Sequence, residues 1–234
     1  MSIPTGTKKA LVLGFCYPTT SDKLPGCQTD VQAVAQILQS TFGYQTQVVT
    51  DNSKTPLGDV ISTFLTSTVP GSQYLLYYSG HGSENGDKTT FYNTNLQPWT
   101  EDQFRTLLQS VSAGVKLVII IDACNSGTAC DLPFCYATST PNHPFTVDLA
   151  SGEPFKADII SLGACQESQL AYNVYDNSRK GVYGAFTKSL LDKINGSTTW
   201  IDLVNVINTD LKNMGIPQNP QLCASKVSLL TSTL

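Results

Sequence analysis

The hydrophobic positions of this chain fall into two patterns that alternate along its length. Short unbroken aliphatic or aromatic runs are typical of strands covered on both faces of a sheet, and they occupy residues 9–16, 45–49, 74–78, 117–122 and 158–162. Between them, apolar residues recur every three or four positions, which predicts helices at about 30–41, 56–69, 100–111, 184–194 and 200–211. A closing strand is predicted at residues 227–230.

Strands that alternate with helices at this spacing call for a mostly parallel sheet with helices on both faces. We therefore predict an α/β fold of three layers, with a central sheet of about six strands or more. Two stretches show neither the hydrophobic runs of strands nor the three-to-four-residue spacing of helices. Residues 83–99 are polar and predict a surface loop, and residues 128–157, which contain four prolines, predict a linker.

Composition narrows the function classes. The chain has 234 residues, 41% of them hydrophobic, which is enough for the core of one domain. A net charge of -4 without a basic block argues against non-specific nucleic-acid binding and suits a cationic substrate. No apolar run approaches the roughly 20 residues of a membrane span. Seven cysteines, an odd number, and the lack of a signal segment predict a reduced, cytoplasmic protein.

Two of the predicted strands end in chemically active residues. His81 follows the strand 74–78, between Gly80 and Gly82, and Cys124 follows the strand 117–122. Because carboxyl ends of neighbouring parallel strands meet at one edge of a sheet, the two side chains should lie close together. An imidazole can take the proton of a thiol and make it a nucleophile. The N–H groups of Gly82 and Cys124 are candidate donors to an oxyanion.

The alternative is structural. A buried cysteine is a common core residue, and a lone histidine is more often structural than catalytic. The occurrence of both in turns at strand ends favours the catalytic interpretation, since the other cysteines lack that setting. With two histidines and no Cys-x-x-Cys pair, the chain offers few ligands for a zinc site.

Three segments resemble the metacaspases, the caspase-fold cysteine peptidases of plants, fungi and protists. They are Tyr77-Tyr-Ser-Gly-His-Gly82, Asp122-Ala-Cys-Asn-Ser-Gly127 with the following residues to Pro133, and Pro217-Gln-Asn-Pro-Gln-Leu222. The resemblance extends from Lys8 to the end of the chain. It implies a single caspase-like catalytic domain over 1–234, with a large-subunit-like part (8–140), a linker (141–157) and a small-subunit-like part (158–234). It also implies a monomer.

The resemblance implies His81 and Cys124 as the catalytic dyad, and cleavage after arginine or lysine. The acids of the family's S1 pocket match Asp122 and Asp30, and the resemblance also places Cys27, the first residue of the segment Cys27-Gln-Thr-Asp30, in this pocket. A buried carboxylate pair is costly unless a cation neutralises it, which agrees with a basic substrate side chain. Two alternatives stay open: Asp30 as a helix cap and Asp122 as a hydrogen-bond acceptor at a strand end. Residues 165–173 match a further wall of the pocket.

Many metacaspases respond to calcium, a cation that prefers oxygen ligands. By motif, the resemblance implies Asp87, Glu101, Asp102 and Asp131 as ligands, with a regulatory role for the ion. The alternative is that Glu101 and Asp102 are first-turn acids favoured by the dipole of a helix. The chain departs from the family at Asn125, where a histidine usually follows the catalytic cysteine.

The predicted function is therefore a cysteine endopeptidase that cleaves protein or peptide substrates after arginine or lysine and is stimulated by calcium. Two alternatives are a proteolytically silent caspase-fold module that binds proteins or handles aggregates, and a caspase-fold peptidase with another specificity, such as cleavage after asparagine.

Overall fold

The computed structural model describes residues 6–53, 55–85, 88–138, 145–146 and 154–234, and only the backbone of Asn85, Phe145 and Thr146. The strands are β1 (Lys8–Gly14), β2 (Gln45–Val49), β3 (Gln73–Ser79), β4 (Gly82–Asn85), β5 (Lys88–Tyr92), β6 (Pro98–Thr100), β7 (Lys116–Asp122), β8 (Phe134–Ala137), β9 (Phe145–Thr146), β10 (Asp158–Gly163), β11 (Asn173–Asp176), β12 (Gly181–Gly184) and β13 (Gln221–Ala224). The helices are α1 (Cys27–Ser40), α2 (Leu57–Thr66), α3 (Glu101–Ser110), α4 (Ala185–Lys193) and α5 (Trp200–Asn213), followed by a 3-10 helix at Val227–Thr231.

The central sheet has the strand order β2-β1-β3-β7-β10-β13-β8-β9. The five strands from β2 to β10 are parallel, and β13, β8 and β9 pair antiparallel. Parallel strands joined through helices bring all their carboxyl ends to one edge. The predicted α/β fold with a mostly parallel sheet is confirmed.

The two faces of the sheet bury separate cores, which explains the unbroken hydrophobic runs. In β7, Leu117, Ile119 and Ile121 face the core that also contains side chains of α2 and α3. The alternate residues Val118 and Ile120 face the core formed with α1, α4 and α5. Side chains of a strand point alternately to opposite faces, so a strand covered on both faces needs apolar residues throughout.

The register of β3 and β7 sets the position of the predicted site. Tyr78 pairs with Ile121 and Ser79 with Asp122, so both strands end at the same level. His81 and Cys124 each lie two residues beyond the paired positions. The turns that carry them are therefore neighbours at the carboxyl edge of the sheet.

The structure corrects several sequence predictions about local elements. The last strand is Gln221–Ala224, whereas the predicted strand at 227–230 is the 3-10 helix. Residues 83–99 are not an irregular loop, because β4, β5 and β6 form a small antiparallel sheet there. The prolines that suggested a linker over 128–157 flank a true strand, β8, which pairs with β13. Of the predicted linker 141–157, only 145–146 and 154–157 are described, so the division into two subunit-like parts stays a prediction.

The sequence suggested that all seven cysteines have free thiols, but the structure contains a disulfide. The sulfurs of Cys135 and Cys223 lie 2.15 Å apart in a disulfide between the paired strands β8 and β13. The other five cysteines are free. Within the described residues, no helix has the length and apolar character needed to cross a membrane. The intracellular location stays a prediction.

Candidate active site

The turns after β3 and β7 are in direct contact. The N–H of Gly80 donates a hydrogen bond to the carbonyl of Asp122 (3.3 Å). A side chain at Gly82 would place its Cβ 2.1 Å from the carbonyl oxygen of Cys124, so only glycine fits there. The glycines on both sides of His81 thus allow its turn to lie against the turn of Cys124.

A cavity of about 40 Å³ lies beside these turns. Its lining includes all five residues that the sequence assigned to the dyad and the S1 pocket, namely Cys27, Asp30, His81, Asp122 and Cys124. Sequence reasoning therefore grouped residues from three elements that the fold does bring together.

The imidazole of His81 is held in a defined orientation. Its ring packs against the ring of Tyr17 with centroids 4.3 Å apart, and its Nε2 lies 2.5 Å from the carbonyl oxygen of Asp22. A carbonyl can only accept a hydrogen bond, so Nε2 carries the hydrogen of the neutral ring. Nδ1 then has the lone pair and is the nitrogen that can act as a base.

The backbone of His81 is held by two tyrosines. Its N–H donates to the hydroxyl oxygen of Tyr17 (2.9 Å), and its carbonyl accepts from the hydroxyl of Tyr78 (2.8 Å). The Tyr17 hydroxyl also donates to the carbonyl of Tyr92 (2.9 Å). Both tyrosines are buried, so the hydroxyls replace the water that this turn would otherwise bind.

The thiol of Cys124 is half-buried, and its sulfur accepts the N–H of Ala171 at 3.3 Å. Burial raises the pKa of Cys124, and the negative charge of Asp122 raises it further, whereas the hydrogen bond from Ala171 lowers it. No hydrogen bond joins the thiol to His81 among the described residues. The resting cysteine is therefore a thiol that needs a base, rather than a preformed ion pair.

Asp30 and Asp122 are both buried beside the nucleophile. Asp30 accepts the hydroxyl of Ser79 (2.9 Å) and the N–H of Gly184 (3.0 Å), and Asp122 accepts the N–H (3.1 Å) and hydroxyl (2.6 Å) of Thr187. Burial raises the pKa of Asp122 to about 6, and burial together with the charge of Asp122 raises the pKa of Asp30 well above its usual range. No basic side chain in the described part of the chain forms an ion pair with either acid.

The structure also decides between the interpretations of these acids. The first helix begins at Cys27 with Gly26 at its N-cap, so the interpretation of Asp30 as the helix cap is wrong. Its carboxylate instead bridges the end of β3 and the start of α4. Asp122 does accept hydrogen bonds at a strand end, and it also lines the cavity. For Asp122 the structural and functional interpretations are compatible.

The stretch 165–173 lies where the sequence placed it, as a wall of the cavity, through Ala171, Tyr172 and Asn173. Asn125 anchors this wall. Its N–H donates to the carbonyl of Gln169 (3.1 Å), and its side-chain amide donates to the carbonyl of Glu167. Asn125 also has a φ of 58°, a left-handed conformation that asparagine tolerates better than most residues.

The residues predicted to bind calcium are only partly brought together. Glu101 is buried and hydrogen-bonded to the side chain of Asp131, and its pKa is raised to about 8, chiefly by burial and then by Asp131. Asp102 is exposed and pairs with Lys88 instead. Asp87 lies outside the described residues. Within the described part of the chain, no three His, Cys, Asp or Glu side chains are arranged to hold a metal ion.

Sequence reasoning missed four residues that position the site: Tyr17, Asp22, Gly184 and Thr187. Asp22 acts through its carbonyl, for which no sequence signal exists. Gly184 and Thr187 are the N-cap and third residue of α4, and a glycine before a helix carries no information about which distant acid its N–H will meet. A Cβ on Gly184 would lie 2.1 Å from Asp122 Oδ2.

Together, a thiol, an imidazole with a free Nδ1 and a buried acid pair at the carboxyl edge of an α/β sheet define a cysteine-nucleophile hydrolase site. The profile of the caspase domain, a peptidase family, matches residues 7–230. The chain therefore belongs to the caspase domain family, and it is a caspase-fold protein of the metacaspase type.

Similar proteins agree with this assignment. The chain is 27% identical over 215 residues to Metacaspase-1 of Sclerotinia sclerotiorum, covering 81% of this chain and 50% of that protein. It is 27% identical over 249 residues to Metacaspase-1 of Arabidopsis thaliana, covering 91% and 66%. The chain thus spans between about half and two thirds of these two relatives.

Solved structures share the fold. Protein GSU0716 from Geobacter sulfurreducens superimposes with a TM-score of 0.67 at 21% identity, covering 97% of this chain and 99% of that one. Caspase-1 from Spodoptera frugiperda gives a TM-score of 0.62 at 14% identity, covering 98% and 88%. At these identities the likeness concerns the fold alone.

Proposed function

We propose that the protein is a cysteine endopeptidase that cleaves peptide bonds after arginine or lysine. The observation that supports this most strongly is the acid pair Asp30 and Asp122, which is buried in the cavity that also contains Cys124 and His81 and forms no ion pair with a basic side chain of the described residues. Burying two carboxylates together is costly, and the guanidinium or ammonium group of a substrate would relieve that cost. An enzyme specific for a neutral side chain would gain nothing from such a pair.

The chemistry follows from the orientation of His81. Nδ1 takes the proton of the Cys124 thiol as the sulfur attacks the carbonyl carbon of the basic residue. The N–H groups of Gly82 and Cys124 stabilise the oxyanion of the tetrahedral intermediate. The C–N bond then breaks, the leaving amine takes the proton from the imidazolium, and a thioester remains on Cys124. His81 next deprotonates a water molecule, which hydrolyses the thioester and restores the thiol.

The S1 pocket must open when the substrate binds. Its volume of about 40 Å³ can hold only a few water molecules. An arginine side chain is several times larger, so the wall formed by Ala171, Tyr172 and Asn173 moves away from the acids during binding. Binding energy from the ion pair is available to drive this movement.

Calcium stimulation is part of the proposal. Glu101 and Asp131 supply oxygen donors already in contact, which suits a hard cation, and Asp102 and Asp87 would have to complete the site. The ion would supply positive charge that holds these carboxylates together in their ionised form. Calorimetric titration with calcium should show binding to the wild type and weaker binding to Asp131→Asn, with the exposed Asp59→Asn as the control. Equal binding by both variants would contradict this assignment.

We further propose that the chain acts as a monomer. The strand β13 does not form an open edge of the sheet, because β8 and β9 continue the sheet beyond it. A covered strand cannot pair with a second copy of the chain, so pairing between copies would have to use the outer strands β2 or β9, which are only five and two residues long. Sedimentation should give the mass of one chain, and a mass twice as large at micromolar concentration would overturn this part of the proposal.

A panel of reporter peptides that differ only in the P1 residue tests the central proposal. The kcat/KM for arginine and lysine should exceed that for alanine, asparagine and aspartate by at least about 100-fold, since a buried ion pair is lost with each neutral or acidic residue. Cys124→Ala should abolish hydrolysis, whereas Cys130→Ala, a buried cysteine outside the cavity, should retain it. A preference for asparagine would support the peptidase of other specificity, and no hydrolysis of any peptide would support the silent module.

A further inference from the structure

The N-terminus of α4 holds Asp122 in an asymmetric way. Both donors of Thr187, its N–H (3.1 Å) and its hydroxyl (2.6 Å), go to the same oxygen, Oδ2. The other oxygen, Oδ1, receives no donor from the described residues. Asp30 differs, because Gly184 donates to its Oδ1 and Ser79 to its Oδ2. Of the two acids, Asp122 therefore has the oxygen that is free to meet a substrate.

A second buried hydroxyl group, that of Tyr77, is in contact with the hydroxyl of Thr187. The hydroxyl oxygens of Tyr77 and Thr187 lie 2.6 Å apart, and both residues are buried. An ionised carboxylate only accepts hydrogen bonds, so the single hydrogen of the Thr187 hydroxyl goes to Asp122. Tyr77 must then donate to Thr187. Burial raises the pKa of Tyr77 well above its usual range, so its hydroxyl keeps the proton that this direction requires.

We propose that Thr187, supported by Tyr77, is a specificity-determining positioning residue: it occupies Asp122 Oδ2 and leaves Oδ1 ionised and directed to the basic P1 side chain. This inference rests on the proposed function, since it concerns the same pocket. The chain of donors Tyr77, Thr187, Asp122 strengthens each hydrogen bond through polarisation, which matters most where water is excluded.

The groups around Asp122 explain why its ionisation depends on the hydrogen bonds from Thr187. Asp30 and Cys27 face the cavity from α1, and His81 and Cys124 face it from the turns after β3 and β7. Asp30 is a second carboxyl group in the same cavity, and two neighbouring carboxyl groups disfavour each other's ionisation. The hydrogen bonds from Thr187 are the interactions that lower the pKa of Asp122 against its burial. Removing the hydroxyl should therefore favour the protonated acid, which cannot bind a cation.

The test compares Thr187→Val with wild type on arginine and alanine reporter peptides between pH 5.5 and 8.5. Valine keeps the shape and the N–H but loses the hydroxyl. We expect the acid limb of kcat/KM for arginine to move up by about one pH unit, so that the rate near pH 6 falls about fivefold, mainly through KM. Near pH 8.5 most of the loss should be recovered. The rate on the alanine peptide, and the labelling of Cys124 by iodoacetamide, should not change.

Two control variants separate this role from a packing role. Thr187→Ser keeps the donor and should retain the wild-type pH profile. Thr138→Val removes a buried threonine hydroxyl that donates to the carbonyl of Pro220 (3.0 Å), away from the acids, and should leave the acid limb in place. If Thr187→Val does not fold, Tyr77→Phe takes its place, and a smaller upward movement of the acid limb is expected.

The outcomes are distinct for the two proposals. If the wild type has no preference for arginine or lysine, the proposed function fails, and this inference fails with it. If the wild type has that preference but the acid limb is unchanged in Thr187→Val, or in Tyr77→Phe when the first variant does not fold, only the role of Thr187 is overturned.

Discussion

Replacement of Asp122 by asparagine should stabilise the folded protein at alkaline pH while it weakens binding of a basic substrate. The asparagine side chain has nearly the same shape, and its carbonyl oxygen can accept both hydrogen bonds that Thr187 donates. The substitution removes a buried negative charge that lies beside Asp30 and has no cationic partner among the described residues. Function and stability should therefore change in opposite directions.

The magnitude follows from the pKa of Asp122, which is about 6 in the folded protein against an ordinary value of 3.8. A difference of about two pKa units corresponds to about 3 kcal/mol. Because the folded pKa is raised, the folded state binds more protons than the unfolded state between about pH 4 and pH 6. The stability of the wild type therefore falls as the pH rises through this window and then levels off. The charge of Asp122 also raises the pKa of Asp30, so its removal should further increase the stability of the variant at high pH.

Urea unfolding of the wild type and Asp122→Asn at pH 4, 5, 6 and 8 measures this effect. The advantage of the variant in the free energy of unfolding should grow by about 2 kcal/mol or more from pH 4 to pH 8. The exposed Asp59→Asn is the matched control, and its difference from wild type should not follow the same curve. A constant difference between Asp122→Asn and wild type across the pH range would refute the idea that Asp122 is a buried, uncompensated charge.

Three further predictions concern separate parts of the account. Gly184→Ala would place a methyl group 2.1 Å from Asp122 Oδ2. The kcat/KM for an arginine peptide should therefore fall at least about tenfold, while the labelling of Cys124 persists. An unchanged kcat/KM would contradict the packing of Gly184 against Asp122. Tyr17→Phe keeps the ring beside His81 but removes the acceptor of its N–H, so kcat should fall more than KM changes; equal kcat in both proteins would exclude this role. Thr100→Ala removes the capping box of α3 and should lower the free energy of unfolding by about 1 kcal/mol in urea; a loss under about 0.3 kcal/mol would show that the cap is not used.

The sequence predicted the fold and the proximity of His81 and Cys124 because both depend on short-range patterns. The unbroken run of β7 is visible in the chain, and the two turns at strand ends follow from the rule that parallel strands end at one edge. The helix predicted at about 100–111 is also specified locally, since the capping box at Thr100 that begins α3 involves residues only three positions apart. In each case the signal and the structure that it specifies are local.

The sequence could not predict features that depend on distant pairing. The hairpin of β11 and β12 is short and only partly buried, so its residues show no hydrophobic period, yet it carries Gly184 to the side of Asp30. The strand β8 is four residues long and lies among prolines, and only its pairing with β13 identifies it. A third feature of this kind is the disulfide between these two strands, which depends on their register.

Asn125, which departs from the family pattern, has a structural role at the site. From the sequence it was only a residue in place of a histidine. In the structure its left-handed backbone and its hydrogen bonds to Gln169 and Glu167 hold the segment 165–173, a wall of the cavity, against the turn of Cys124. The residue therefore links the position of Cys124 to the position of the wall that must move.

The most direct measurement of the central claim is the covalent labelling of the wild type by a peptide chloromethyl ketone that ends in arginine, followed by mass spectrometry. A matched reagent ends in citrulline, which has a similar shape but no charge. The account predicts one adduct per chain, on Cys124, formed at least about 100-fold faster with arginine than with citrulline. Equal rates for the two reagents, or adducts spread over the other free cysteines, would contradict it.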